Sequence, residues 1–318
     1  MTPSSQPHLL SLADLSHRQV TWLFHRTTEL KASRHRHQPV QTLSGRTLGM
    51  LFEKPSTRTR VSFETGMFQM GGQAIFLSER DLQLGRGESL SDSARVLSRF
   101  VDALMVRTFA HHKIETLASH STIPVINGLT DDFHPCQVLA DLYTWHEHRG
   151  SIQGRKVAWV GDGNNMANTW IQAAPLCGFH LVLACPEGYD PQDQVMGTAR
   201  QRLASNGGVG SVTLVRDPRQ AVEDADLVTT DTWTSMGQEE EGQRRRQAFQ
   251  GYTVDQALMD LAHPEALFMH CLPAHRDEEV AAEVIDGPQS VVWDEAENRL
   301  HVQKAILEWL ILNPPLSA

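Results

Sequence analysis

The sequence has no uninterrupted apolar stretch approaching the roughly 20 residues that a membrane-crossing helix needs. Its first residues, MTPSSQPHLLSLADLSHRQV, carry neither an apolar leader core nor an arginine-rich amphipathic face. These two absences predict a cytoplasmic protein with no membrane partner. Positive charge is also short: Lys plus Arg number 28 against 38 Asp plus Glu, a formal net charge of −10. A general nucleic-acid binder needs a broad basic surface to displace counterions, so that class is excluded. Cysteine is scarce. Cys136, Cys177, Cys185 and Cys271 show no CxxC spacing, which argues against a zinc or redox motif and for reduced thiols in place of a disulfide framework. No metal or other cofactor is expected. There is no internal repeat and no low-complexity tract.

What the chain does have is alternation. Short apolar runs at 48–52, 74–77, 103–107 and 124–127 are followed by a second series at 156–160, 181–184, 212–215, 227–230, 267–270 and 291–293. Most are separated by stretches long enough for a crossover helix. Such a pattern predicts an α/β protein with parallel sheets covered by helices on both faces. The two series predict two doubly wound parallel-sheet domains, divided near Gly150: residues 1–149 and 150–297. A closing amphipathic helix over 298–312 is stopped by Pro314. The run QEEEGQRRRQ reads as a solvated loop entering a helix, its acids placed first as the helix dipole prefers. In open parallel sheets ligands lie beyond the carboxyl ends of strands, and the unusual residue clusters all follow candidate strands.

The first is STRTR, residues 56–60, at the mouth of a predicted helix. A helix N-terminus offers unpaired N–H groups and a positive dipole end, which favour an anion. Ser56, Thr57 and Thr59 add neutral donors, and Arg58 can take a phosphate with two hydrogen bonds. Arg60 points elsewhere and is expected to pair with Glu64. The spacing is not that of a Walker loop. An ordinary serine N-cap with surface arginines accounts for the same letters. Arg107 closes the strand ALMVRT, either as a functional cation or as part of a structural ion pair. His134 and Gln137 open a helix in HPCQ, where Pro135 suits the first turn; they are ligand contacts or a plain helix cap. In GDGNN, Gly161 and Gly163 match half of a dinucleotide fingerprint, but Met166 stands at the third glycine. Asn165 is then a contact for a small polar ligand, with nucleotide binding the weaker reading. Asp231, Ser235 and Met236 follow one strand in DTWTSMGQEEE, and Cys271 follows another in HCLPAHR, as a nucleophile or as a buried thiol.

Taken together and in this order, STRTR, HPCQ, DGNN, DTWTSMGQEEE, HCLPAHR and DEAENR are far more specific than any one alone. Over roughly residues 8–312 the chain resembles the aspartate/ornithine carbamoyltransferase family, and HCLP with SMG places it on the ornithine branch. The resemblance implies transfer of the carbamoyl group of carbamoyl phosphate to the side-chain amine of L-ornithine, giving citrulline and phosphate by direct attack. It implies that Ser56, Thr57, Arg58 and Thr59 hold the phosphate, and that Arg107 and His134 aim at the carbamoyl oxygen. Gln137 and the backbone of Cys271 and Leu272 would hold the amide, with Arg299 closing the pocket from a C-terminal helix packed back on the first domain. Asn165, Asp231, Ser235 and Met236 would grip ornithine, beside the thiol of Cys271. The family's assembly implies a homotrimer in which Gln83 reaches into a neighbouring site. The alternative acceptors are putrescine, N-acetylornithine and N-succinylornithine; an acylated amine would offer Asp231 no charge.

Overall fold

The computed structural model describes residues 7–78, 87–205, 207–234 and 239–315. The expected site residues Gln83, Ser235 and Met236 lie outside them. The chain divides into two compact units, 1–139 with 298–318, and 140–297.

The first unit opens with α1 (His17–His35), whose N-cap Ser16 exchanges bonds with Gln19 in a capping box. It continues through β1 (Thr47–Phe52), α2 (Thr57–Gln69), β2 (Gln73–Ser78), α3 (Leu90–Leu97), β3 (Ala103–Arg107), α4 (His111–His120), β4 (Val125–Leu129) and the start of α5 (Pro135–Arg149). Its four strands are all parallel, in the order β2-β1-β3-β4. β3 is buried along its whole length, which is why ALMVR reads as an unbroken apolar run and not an alternating one. Leu51, Leu104, Val106, Ile114, Leu117 and Val125 form part of one core beneath it.

In the second unit β5 (Lys156–Val160), α6 (Asn165–Cys177), β6 (His180–Ala184), α7 (Asp193–Ser205), β7 (Ser211–Val215), α8 (Pro218–Val222) and β8 (Leu227–Thr230) alternate. α9 (Gly242–Ala248), α10 (Gln256–Met259), β9 (Leu267–His270), α11 (Ala282–Ile285) and α12 (Val292–Leu312) complete the chain, α12 running on into the first unit. This sheet is also wholly parallel, in the order β7-β6-β5-β8-β9. α6 starts on Asn164 and ends at Gly178, whose φ of 72° closes the helix in the left-handed conformation that favours glycine. No helix among the described residues is long and apolar enough to cross a membrane.

Each sheet reverses its winding once. In the first, β1 leads to β2 on one side while β3 and β4 extend the other; in the second, β5 and β8 are the corresponding neighbours. Crevices at such reversal points are where open α/β sheets take ligands. STRTR and Arg107 follow β1 and end β3; GDGNN and Asp231 follow β5 and β8.

Two expectations fail. The run at 291–293 is not a strand: Val292 begins α12, and its neighbour Ser290 makes only an isolated bridge to Phe268. A three-residue apolar run fits a helix start as well as a strand, and here Val291 and Val292 are buried while Trp293 is exposed. QEEEGQRRRQ is not simply solvated either. It enters α9 as expected, but Arg245 is buried, its guanidinium donating to Asp162 Oδ2 and to the carbonyl of Trp233, both at 2.8 Å.

Candidate functional site

In the first unit Ser56 caps α2, its Oγ accepting from the Thr59 N–H at 3.2 Å. Its hydroxyl also donates to Thr59 Oγ1 at 3.0 Å. Thr59 is buried, and Arg299 Nη2, from α12, donates to the same Oγ1 at 2.8 Å. Thr57 and Arg58 occupy the exposed and half-buried sides of the first turn. Arg60 turns away as expected. Its Nε meets Glu64 Oε1 at 3.0 Å and its guanidinium lies 3.9 Å from the centre of the Phe76 ring.

Arg107 is buried at the end of β3, where the β3–β4 register shifts between Val106 and Arg107. His134 and Gln137 are buried at the start of α5. Burial, and then the positive charges of Arg299 and Arg107, hold the His134 imidazole well below the ordinary histidine range. His134 is therefore neutral at pH 7, a hydrogen-bonding group and not a third cation. Cys136, in the same turn, is pushed up to about 12 by burial and donates to the carbonyl of Asn127, so it is an inert structural thiol.

Sequence reasoning missed two supports here. Glu53 donates its N–H to the Arg107 carbonyl at 2.8 Å, while its carboxylate accepts from Thr108 Oγ1 and from Lys113 Nζ. It thus clamps the β3 end that presents Arg107. Lys54 is buried, paired with Asp131, with its ammonium 4.3 Å from the centre of the Phe109 ring. The only signal in the sequence was a Glu-Lys pair separated from STRTR by Pro55.

In the second unit Asp231 is the centre. Its Oδ1 accepts from the Thr232 N–H at 2.8 Å and from Cys271 Sγ at 3.2 Å; its Oδ2 accepts from Asn164 Nδ2 at 2.8 Å. Asn165, the residue after Asn164, opens α6. The Cys271 thiol is raised well above its ordinary value, first by burial and then by the negative charges of Asp231, Glu295 and Asp141. It stays protonated and acts as a donor, which removes the nucleophile reading. Alkylation by iodoacetamide is accordingly expected to be slow at pH 7.5 and still accelerating at pH 10; a plateau below pH 8 would contradict a protonated thiol.

Leu272 adopts a φ of 56°, a conformation that costs a side-chain-bearing residue roughly 1–3 kcal/mol and persists only where its surroundings impose it. The surroundings are visible. The Leu272 N–H donates to His270 Nδ1 at 2.9 Å, and the opposite ring nitrogen meets the buried Glu279 carboxylate at 3.1 Å. Asp231, His270 and Cys271 bring their side-chain donor atoms within 4.8 Å of one another. They make a poor metal set. One imidazole nitrogen has its lone pair occupied by the Leu272 N–H, the other carries the proton facing Glu279, and the thiol is held neutral.

The GDGNN turn is not open to a dinucleotide. The Gly163 N–H donates to the Tyr189 carbonyl at 2.9 Å and the Gly161 N–H to that of Ala184 at 3.0 Å. A Cβ on Gly163 would lie 2.2 Å from the Pro191 nitrogen. The glycine is there for the close approach of residues 190–191, and the backbone donors that a pyrophosphate needs are already used.

Fold and site thus define a two-domain parallel α/β protein, with a buried arginine–histidine cluster in one unit and a carboxylate–thiol pair in the other. Comparison with known proteins specifies the class. The carbamoyl-P binding domain of aspartate/ornithine carbamoyltransferases matches residues 7–147, and the Asp/Orn binding domain of the same family matches residues 153–310. An ornithine carbamoyltransferase of Nitrosococcus oceani is 58% identical over 98% of this chain and 99% of its own. An anabolic ornithine carbamoyltransferase of Pseudomonas aeruginosa is 57% identical over 96% of this chain and 97% of its own. The solved ornithine carbamoyltransferase of Pyrococcus furiosus superposes with a TM-score of 0.91 at 49% identity, covering 96% of this chain and 97% of that one. The chain belongs to the aspartate/ornithine carbamoyltransferase family.

Proposed function

We propose that this protein transfers the carbamoyl group of carbamoyl phosphate to the side-chain amine of L-ornithine, forming citrulline and phosphate in the biosynthetic direction. The observation that carries this reading is the full-length identity to ornithine carbamoyltransferases together with the Asp231–Cys271 pair, which suits an acceptor bearing a free α-ammonium.

Ser56, Thr57, Arg58 and Thr59 bind the phosphate at the α2 N-terminus, and Arg299 braces Thr59. Arg107 and neutral His134 donate to the carbamoyl oxygen, where negative charge grows as the amine attacks. Donors fixed at that position are the largest single contribution expected in acyl-type transfer. Gln137 holds the carbamoyl amide. Asp231 takes the α-ammonium of ornithine; Asn165, Ser235 and Met236 complete the acceptor site.

The attacking amine must shed a proton, because an alkyl ammonium of this kind is mostly charged at neutral pH. Burial beside the neutral Cys271 thiol favours the free amine. The new C–N bond forms, the C–O bond to phosphate breaks, and the surplus proton of the nitrogen passes to the departing phosphate. No covalent enzyme intermediate is required.

We further propose a cytoplasmic homotrimer with Gln83 contributed across the interface. Support comes from apolar side chains that the first unit leaves exposed: Phe68 on α2 is 79% and Phe100, before β3, 73% exposed, with Val61 on α2 and Ile75 on the edge strand β2 also open. Such a face favours burial against another copy. Light scattering at three times the chain mass is the expected outcome.

The function is tested by citrulline formation from carbamoyl phosphate and L-ornithine with EDTA present, with putrescine, N-acetylornithine and L-aspartate in parallel. Turnover with ornithine alone supports the reading. Turnover with putrescine in its place overturns the assignment of Asp231.

A further inference from the structure

Asn164 did not stand out in the sequence; its neighbour Asn165 did. In the fold Asn164 works at both ends of its amide. Oδ1 accepts from the Met166 N–H at 2.9 Å and the Ala167 N–H at 3.2 Å, capping α6, while Nδ2 donates to Asp231 Oδ2 at 2.8 Å. The amide cannot be turned round. Two backbone N–H groups face one end and can only donate, so the oxygen must sit there and the nitrogen must face the carboxylate.

Capping alone does not call for asparagine. Aspartate and serine cap helices about as well, since a cap needs only an acceptor. Aspartate would meet Asp231 with a second negative charge, and serine is too short to reach it while capping. What singles out asparagine at 164 is the demand for an acceptor toward α6 and a donor toward Asp231. The other two donors to Asp231, the Thr232 N–H and the Cys271 thiol, both bind Oδ1. Asn164 alone among the described residues donates to Oδ2 and ties the carboxylate to the β5–α6 turn.

We propose that Asn164 is a positioning residue for the acceptor substrate: by anchoring Asp231 Oδ2 to the N-terminus of α6, it fixes the direction in which the carboxylate meets the α-ammonium of a diamino acid. The inference rests on the reading of Asp231 given above. It assigns the turn that resembles half a nucleotide fingerprint a different task, that of bracing the residue at the end of the neighbouring strand. The charged and titratable groups around Asp231 are the Cys271 thiol, bonded to it directly, the His270 imidazole, a ring nitrogen of which lies within 4.8 Å and whose Nε2 meets Glu279, and Asp162, whose carboxyl feels its charge. Arg245 pairs with Asp162, and Glu295 and Asp141 act with Asp231 on the Cys271 thiol.

Two variants test this, both of which keep a cap. Asn164→Ser removes the donor. The KM for ornithine is expected to rise about 10- to 100-fold, the range for loss of a hydrogen bond to a charged group. The KM for carbamoyl phosphate should stay within twofold, and the melting temperature should be little changed. Asn164→Asp sets two carboxylates against each other, and such a pair holds one proton more tightly than either group would alone. A new ionisation is therefore expected in the pH profile of kcat/KM for ornithine, absent from the wild type and from Asn164→Ser.

The same pair gives a readout independent of turnover. Its raised folded-state pKa makes the stability of Asn164→Asp, relative to Asn164→Ser, greatest at low pH and lost as pH rises through that value. If the wild-type protein fails to turn over ornithine, the reading of Asp231 fails, while the stability comparison still tests the anchor. An ornithine KM within twofold of wild type for Asn164→Ser would overturn the proposal and leave Asn164 a helix cap. So would a difference in stability between the two variants that does not change with pH.

Discussion

Replacing Arg107 with methionine is expected to leave a folded protein whose kcat for citrulline formation is lower by about 10²- to 10³-fold, the loss seen when one fixed donor to a developing oxyanion is removed. The residue is buried at the end of β3, its own carbonyl held by the Glu53 N–H, so the backbone there does not depend on the guanidinium. Methionine fills much of the arginine stem and removes a buried charge, so the fold loses little. The chemistry loses the donor and also disturbs its neighbour. Arg107 and Arg299 both help, after burial, to hold His134 below its ordinary pKa. Without Arg107 that value rises, and any activity carried by neutral His134 should fall away at a higher pH than in the wild type as the solution is acidified. Steady-state kinetics between pH 6 and 9, with a melting curve at each pH, checks both. A kcat within fivefold of wild type, at unchanged stability, would remove Arg107 from the oxyanion site.

The parallel α/β class and nine of the strands were legible because buried parallel strands leave continuous apolar runs, and their crossover helices space them widely. The tenth run, at 291–293, misled because three apolar residues at a helix start, Val291 and Val292 buried and Trp293 exposed, look like a short strand. The grouping of side chains was legible where it is local in sequence, as in Ser56–Thr59 or His134–Gln137. Its supports were not. Glu53 reaches Lys113 and Lys54 reaches Asp131, 60 and 77 residues away, and nothing in the letters announces such pairs. Asn165 drew attention over Asn164 because a cap looks ordinary until its other end is seen on Asp231. The glycines of GDGNN matched only half of a dinucleotide fingerprint, and the letters did not show that Gly163 serves a close backbone contact.

Arg245 shows most clearly how sequence context can mislead, and it carries the largest expected effect on stability. Three arginines in a row after three glutamates read as a solvated face, yet the middle one is buried. It is bonded to Asp162 and to the Trp233 carbonyl, and it lies 5.1 Å from the centre of the Tyr189 ring. Arg245→Leu would leave the Asp162 carboxylate buried without its partner, a change that costs about 3–5 kcal/mol in comparable pairs. The loss should depend on pH. Even with Arg245 present, burial raises Asp162 from its ordinary 3.8 to about 6, and without Arg245 it should rise further. A folded-state pKa above the unfolded one means that the protonated acid favours folding. The destabilisation should therefore be full at pH 8, and should shrink as pH falls through the folded pKa toward 5. Adding Asp162→Asn removes the orphaned charge and should recover much of the loss at pH 8 but little at pH 5. Urea midpoints of the four proteins of this cycle at the two pH values separate the contributions. A loss of equal size at pH 5 and pH 8, unrelieved by Asp162→Asn, would mean that the bond to the Trp233 carbonyl and the packing on Tyr189 stabilise this region, with the ion pair contributing little.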